Sequence, residues 1–434
     1  MTDVIVKRTS KLKGEVCAPP SKAYTQRMLI AACLSIGISK LSNPLFSEDT
    51  EATLRAVKAL GAKVTEAGDC WTVEGAASLK GAVDPVDCGE SGATLRFMIP
   101  VAALAPKPTV FVMSESLAKR PLEPLLQSLQ QLGVKAHFQR IGDKAQVRVE
   151  GGGIRGGKTA LPGDVSSQFV SGLMFACPKA KNDTELSITT PLESKSYVCM
   201  TKDVLSQHSI KVGISEDFTK LNIPSNQKYL PNDGKVPGDF SSAAFLLAAA
   251  AITDSEVTVK NLDFKTLQGD KIVLGVLKRM GVEGKVCSGS VEITGSGSLL
   301  DAVNVDAREI PDLVPVCAVL ACYAKGASRI HEAQRLRLKE SDRLTSLYVE
   351  LRKMGADMTM DESSLTVKGP CQLHGATIDP HNDHRIAMAC AIAALGAEGE
   401  TIIQDAECVR KSYPHFFHEL RVLGAGVVGG ELIR

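Results

Sequence analysis

Aromatic side chains are scarce, at 4% of the chain with a single tryptophan, so the core has to be built from Val, Leu, Ile, Ala and Met. Charge of one sign is also lacking. A formal net charge of +1 excludes a global pull toward nucleic acid or an anionic membrane, and any basic cluster must be local. No long apolar run is present either. The longest, AAFLLAAAAI at Ala243–Ile252, reaches about half of a membrane span. The twelve cysteines show no CxxC or paired zinc spacing, and several (Cys33, Cys317, Cys322, Cys390) sit in apolar helix-like runs. That usage argues against a disulfide framework and suits a reducing cytosol. The opening MTDVIVKRTSKLKGEV alternates like a strand and carries no apolar h-region, so no signal peptide is expected and the location reads as cytoplasmic.

What is present is a repeat. Amphipathic stretches ending in a Leu-Gly-Ala-like turn recur as LRAVKALGAKV, LLQSLQQLGVKA, VLGVLKRMGVEG, LYVELRKMGADM and FHELRVLGAGVV. Their turn glycines, Gly61, Gly133, Gly281, Gly355 and Gly424, are 72, 148, 74 and 69 residues apart, and 148 is twice 74. A degenerate copy, DVLSQHSIKVGI, fills the long gap with Ser209 in place of glycine. Six copies of one βαβ-type unit over 434 residues predict an α/β protein of two domains with three repeats each.

Each copy also carries an upstream helix apolar on nearly every face, the signature of a buried helix. The entrances to these helices are PPSKAYTQR, DCGESGATLR, PGDVSSQF, PGDFSSAA, EIPDLV and HNDHRIA. Their Ser and Asp residues suit N-capping. Capping does not account for Lys22, Arg27, Arg96 and Arg385, whose charge opposes the positive end of a helix. A cation beside unpaired N–H groups makes sense where an anion sits between them. QRLRLKESDRL, ECVRKSYPHFF and SLAKRPLEPL add further local charge. Together they point to a polyanionic small molecule bound in a cleft.

In this order, PPSKAYTQR, GESGATLR, KRPLEPL, DVSSQF, SKSYV, EIPDLVP, LKESDR, PHNDHRIAMA and ECVRKSYPHFF resemble the 5-enolpyruvylshikimate-3-phosphate synthase family over essentially the whole chain. The resemblance implies the two-domain enolpyruvyl transferase fold, an inside-out α/β barrel with three βαβαββ repeats around buried helices in each domain. Residues 1–20 plus 237–434 would form one domain, with the acids and cations on the phosphoenolpyruvate (PEP) side, and 21–236 the shikimate 3-phosphate side. It further implies transfer of the enolpyruvyl group of PEP to the 5-hydroxyl of shikimate 3-phosphate by addition and elimination, with no metal and no organic cofactor. Chain crossings near Pro19–Ser21 and Gly234–Gly238 suggest closure on substrate.

The roles implied by the resemblance are specific. Lys22, Arg120, Arg343, Arg385 and Lys411, with Gln168, would surround PEP, and Gly92 would let backbone approach it. Arg27, Ser166, Ser167, Gln168, Ser194 and Tyr197, with Lys22, would hold shikimate 3-phosphate, while Asp312 and Lys339 contact its hydroxyls. Asp312 would accept the 5-hydroxyl proton and Glu340 would protonate the methylene carbon, although Lys22 and Lys411 could share these transfers. Asp383 and His384 would orient the clamp. Simpler readings stand beside these: Asp312 as a helix cap, Glu340 as the partner of a neighbouring cation, Tyr197 as a core aromatic. The His381/His384 and His415/His418 pairs lack the carboxylate or cysteine set that a zinc site needs.

The chain departs from the family pattern at Ala23, where a serine is usual, and at Glu90 and Arg335, where asparagine is usual. Gly92 also leads to an expectation of inhibition by glyphosate, an anion suited to the PEP clamp. No membrane or nucleic-acid partner is expected, and the expected state is a monomer. Two other readings are a UDP-N-acetylglucosamine enolpyruvyl transferase and a non-catalytic repeat scaffold. The first would place a cysteine in the SESLAKRPLEP region, which has none.

Overall fold

The computed structural model describes residues 2–76, 78–297 and 300–430. Contacts divide the chain into two compact units, Met1–Pro19 with Pro237–Arg434 and Pro20–Val236. Each unit has its own hydrophobic core.

The repeat is visible in how the amphipathic helices end. Glu48–Ala59, Glu123–Gln131, Val273–Arg279, Arg343–Lys353 and Phe416–Val422 each stop at a glycine with positive φ: 109° at Gly61, 85° at Gly133, 83° at Gly281, 94° at Gly355 and 93° at Gly424. At Gly61 the glycine N–H donates to the Lys58 carbonyl, and the next N–H, of Ala62, donates back to Val57. That pair of bonds defines a Schellman motif, which uses carbonyls the helix end leaves free. The same two bonds recur at Gly133, Gly281, Gly355 and Gly424. They recur also after Lys195–Gln207, where Ser209 itself adopts φ 65°. The degenerate copy therefore keeps the turn and accepts a non-glycine residue in the left-handed region.

Among the described residues six small sheets follow one plan: a strand pairs in parallel with an edge partner, then antiparallel with a strand that is in turn antiparallel to a further one. Thr109–Met113, for example, is parallel to Val86–Asp87 and antiparallel to Lys144–Val149, which pairs with Ala136–Ile141. The inner strands alternate buried and less buried positions, as Asp254–Lys260, Thr109–Met113 and Thr184–Ile188 do, so one face of each turns toward the core. The strands nearest the two chain crossings pair within their own units. Lys11–Cys17 lies parallel to Asp254–Lys260, and Gly234–Lys235 parallel to Ile38–Ser42.

The buried helices are Lys22–Leu34, Gly92–Ala102 and Ser167–Ala176 in one unit, and Phe240–Ile252, Val314–Cys322 and His384–Gly396 in the other. Every residue from Phe240 to Ala251 is buried. Burying a helix this completely leaves its N-terminus as the polar end available to ligand, and the charged residues gather there.

Candidate active site

In the Pro20–Val236 unit the starts of three helices are tied together by one side chain. Gln26 Nε2 lies within hydrogen-bond distance of the Asp49 carbonyl (3.2 Å), Thr53 (3.0 Å), Ser91 (3.2 Å) and Thr94 (3.3 Å). This fixes Lys22 and Gly92, each the first residue of its helix. Lys22 Nζ pairs with Asp49 Oδ2 at 2.7 Å. Asp49 carries no sequence motif; it is the second residue of an amphipathic helix and reads there as an ordinary first-turn acid.

Arg96 is the second residue whose role the sequence only hinted at. It is buried, donates to Gln168 Oε1 at 2.8 Å and to the Pro121 carbonyl at 3.1 Å, and lies over the Phe169 ring at 5.3 Å. Together with Arg120 it lines a small cavity that also includes Leu95, Met113, Leu117 and Pro121. Arg120 Nε and Nη2 are buried without a hydrogen-bond partner among the described residues. Buried guanidinium donors left unpaired are costly, and a phosphate or carboxylate would satisfy them. A Cβ on Gly92 would lie 3.4 Å from Arg96 Nη1 and 3.6 Å from Arg120 Nη1, so Gly92 opens onto the same two cations. Glu90 instead accepts from Ser116 Oγ at 2.7 Å and lines a different cavity with Glu48, Asp49, Glu51 and Arg55.

Arg27 is occupied from within. Its Nε donates to Thr201 at 2.8 Å, and its terminal nitrogens to the Ala23 carbonyl (2.9 Å) and the Tyr197 carbonyl (3.3 Å). It also lies 5.0 Å from the Phe97 ring centroid and 5.6 Å from that of Tyr197. Burial pushes its guanidinium down to about 10, with Tyr197 and Tyr24 acting the other way. One N–H remains on each terminal nitrogen. Ser166 caps the Ser167–Ala176 helix by accepting from the Gln168 N–H at 3.3 Å, and Ser194 precedes the Lys195–Gln207 helix in a left-handed conformation (φ 55°).

In the other unit the centre is Arg343, whose side chain is 1% exposed. Its Nε donates to Asp383 Oδ2 at 2.8 Å and its Nη1 to Asp312 Oδ1 at 2.9 Å, while Nη2 reaches Glu340 and, at 3.2 Å, Asp383 Oδ1. One planar fork thus sets three carboxylates. Asp312 lies two residues before the Val314–Cys322 helix, whose N-cap is Leu313. Asp312 Oδ1 faces Arg343 and, at 3.3 Å, Arg385 Nε. Glu340 does pair with a neighbouring cation, and that cation is Arg343. Arg385 donates to the Asp312 carbonyl (3.2 Å) and to Ser241 Oγ (3.0 Å), and its N–H to Asp383, which caps the His384–Gly396 helix. Lys411 Nζ donates to the Asn382 carbonyl. His384 is buried at the start of the same helix.

The ionisation of this group follows from its composition. Burial would raise the Asp312 carboxyl, but Arg385, Lys339 and Arg343 outweigh it and hold the group well below the usual carboxylate range. Burial likewise opposes the charge on Arg343, and Asp383, Glu340 and Asp312 overcome it, so Arg343 is firmly cationic. Lys339 goes the other way. Burial is its largest influence, Asp312 offsets part of it, and the ammonium is pushed down to about 8. Among the described residues no group of three His, Cys, Asp or Glu is arranged to hold a metal ion, and no helix is long and apolar enough to cross a membrane.

Comparison with known proteins gives one consistent result. Residues 6–420 match the family EPSP synthase (3-phosphoshikimate 1-carboxyvinyltransferase). The chain is 41% identical to the 3-phosphoshikimate 1-carboxyvinyltransferase of Methanocaldococcus jannaschii, over 98% of this chain and 99% of that one. It is 45% identical to the corresponding protein of Methanosarcina mazei, over 96% and 97%. Among solved structures, an EPSP synthase from Acinetobacter baumannii superposes with a TM-score of 0.82 at 24% identity, covering 99% of this chain and 100% of that chain. The enolpyruvyl transferase NikO from Streptomyces tendae gives 0.81 at 18% identity, covering 99% and 98%. The fold is that of the enolpyruvyl transferases.

Proposed function

The chain belongs to the EPSP synthase family, and on that premise we propose how its own residues serve the family's reaction. The enzyme transfers the enolpyruvyl group of PEP to the 5-hydroxyl of shikimate 3-phosphate and releases phosphate, a step of the shikimate pathway. Membership in this family favours that reaction over UDP-N-acetylglucosamine enolpyruvyl transfer and over a non-catalytic scaffold.

The observation that carries the assignment of roles is the buried Arg343 fork, which brings Asp312 and Glu340 onto one cation. Addition needs a proton removed from the 5-hydroxyl as its oxygen bonds to C2 of PEP, and a proton delivered to the methylene carbon. Asp312, held ionised by Arg385, Lys339 and Arg343, is the acceptor. Glu340, entering the step in its protonated form, is the donor and takes the proton back from the methyl group during elimination. Elimination removes a proton from the new methyl group, breaks the bond to phosphate and restores the double bond. Lys22 or Lys411 could share these transfers. Arg343, Arg385 and Lys411 offset the charge of PEP, and Asp383 and His384 orient them.

Among the residues of the other unit, Arg120, Gln168, Lys22 and the open space at Gly92 serve PEP. Arg27, Ser166, Ser167, Gln168, Ser194, Tyr197 and Lys22 serve shikimate 3-phosphate, as Lys339 does from its own unit. All twelve cysteines are free thiols, which fits a cytoplasmic enzyme, and the proposed working form is a monomer. The test is phosphate release from PEP with either acceptor. Turnover is expected with shikimate 3-phosphate and not with UDP-N-acetylglucosamine; the reverse preference would overturn the reading.

A further inference from the structure

Residues Asp379 to Asp383 form a strap between the Thr377–Ile378 strand and the His384–Gly396 helix. Two successive non-glycine residues in it, His381 (φ 52°) and Asn382 (φ 54°), are left-handed. Such a conformation costs free energy and persists only where the surroundings over-determine it. Here the surroundings are one helix, Arg343–Lys353, which anchors the strap at both ends. At its first residue Arg343 grips Asp383, at 2.8 and 3.2 Å.

Seven residues later, on the same helical face, Glu350 is fully buried. It accepts from Lys353 Nζ at 2.9 and 2.8 Å, from the Asp379 N–H at 3.2 Å and from His381 Nε2 at 3.0 Å. A carboxylate can only accept, so Nε2 of His381 carries the hydrogen. The other His381 nitrogen, Nδ1, lies 3.7 Å from Asp379 Oδ2. What the strap delivers is the Asn382 carbonyl to Lys411 Nζ and the Asp383 carboxylate to the Arg385 N–H at 2.9 Å.

We propose that Glu350 and His381 are positioning residues for the transfer reaction: their hydrogen bond sets the strap, and through it the placement of Lys411 and Arg385. This rests on the reaction assigned above. It adds two residues to which the sequence assigned no part in the reaction: His381, inside the PHNDHRIAMA segment, and Glu350, deep in an amphipathic helix.

His381 is 37% exposed, so His381→Phe should remove the donor without unfolding the chain. The expected result is KM for PEP raised about tenfold, kcat changed less than about threefold, and thermal stability near that of the parent. His381→Gln keeps an N–H donor and should return KM to within about threefold of the parent value. In the double variant with Glu350→Gln, the combined loss should be smaller than the sum of the two single losses, because both share the His381–Glu350 bond while Glu350 alone also holds Lys353 and the Asp379 N–H. An unchanged KM for PEP in His381→Phe, the absence of rescue by Gln, or additive losses would each overturn the proposal. Equilibrium dialysis with labelled PEP in the presence of shikimate 3-phosphate tests the same ordering without turnover. A parent enzyme that binds both compounds but releases no phosphate would therefore sink the assigned reaction and leave the positioning claim open to that measurement.

Discussion

The buried arginines of the two units are held largely by different means. In the Pro237–Arg434 part, carboxylates do it: Arg343 faces Asp312, Glu340 and Asp383, and Lys353 faces Glu350. In the Pro20–Val236 unit, neutral groups do most of it. Arg27 donates to Thr201 and to two carbonyls and lies against two rings, and Arg96 donates to Gln168 and the Pro121 carbonyl. Lys22, paired with Asp49, departs from this, and the other carboxylate pairs of the unit, such as Arg140–Glu115 and Arg148–Glu150, lie on its exposed surface. Neutral dipoles and aromatic faces can fix a guanidinium without cancelling its charge, which then remains to attract an anion. Carboxylates cancel charge, but they set the protonation states of their neighbours, which a reaction that moves protons needs. On the proposed assignment of roles, the Pro20–Val236 unit contributes mainly anion binding, and the other unit contributes both cations for PEP and the carboxylates that handle protons.

Matched variants would break this comparison most directly. Arg343→Lys keeps the charge but loses the fork that reaches three carboxylates. It should lower kcat/KM roughly a thousandfold, about 4 kcal/mol of transition-state stabilisation, and lower the melting temperature as well. Arg120→Lys should leave the melting temperature unchanged and act mainly on KM for PEP. Equal thermal losses in the two variants would remove the distinction between the units.

Gly92→Ala sharpens the same point at a smaller size. The added Cβ would make ordinary contacts, 3.5 Å from Leu117 Cδ1 and 3.4 Å from Arg96 Nη1, so the fold should hold. Space beside two guanidiniums is nevertheless filled. KM for PEP should rise about tenfold, with glyphosate inhibition weakened at the same time. Steady-state kinetics and an inhibitor titration read both effects, and an unchanged KM would mean that PEP does not approach this helix start.

How much of this was readable in advance depended on whether a feature repeats or is local. The Leu-Gly-Ala turns showed the repeat because a Schellman motif needs a left-handed residue at one position. Even Ser209 could be placed by period alone. Cations at helix starts stood out because they oppose the helix dipole, and Arg96 was noticed that way before it had a role. Asp49 and Glu350 were not found. Each occupies an amphipathic helix at a position that any acid could fill, and its partner, Lys22 or His381, is 27 or 31 residues away. Only the packing of one helix against another element brings such pairs together. Arg27 illustrates the converse: its position was evident, but the hydrogen bonds that already occupy three of its nitrogens were not.

The smallest effect concerns Lys339, a cation whose charge burial disfavours. Its ammonium is lowered from 10.5 to about 8, so the folded state disfavours the proton that the unfolded chain keeps. Between those two values the unfolded chain binds more protons, and this group makes stability rise with pH. Activity should move the opposite way. Above pH 8 Lys339 loses the charge proposed to contact shikimate 3-phosphate, and kcat/KM for that substrate reports ionisations of the free enzyme. A fall of about threefold to tenfold is expected in the parent between pH 7 and 9.5, and a flat profile in Lys339→Arg, which stays charged throughout. Cys371, lowered to about 7 by the neighbouring Cys322 thiol, would complete its own change earlier in the range. A decline that persists unchanged in Lys339→Arg would place the alkaline ionisation elsewhere, and the carboxylate-rich unit would then owe its charge state to its ion pairs alone.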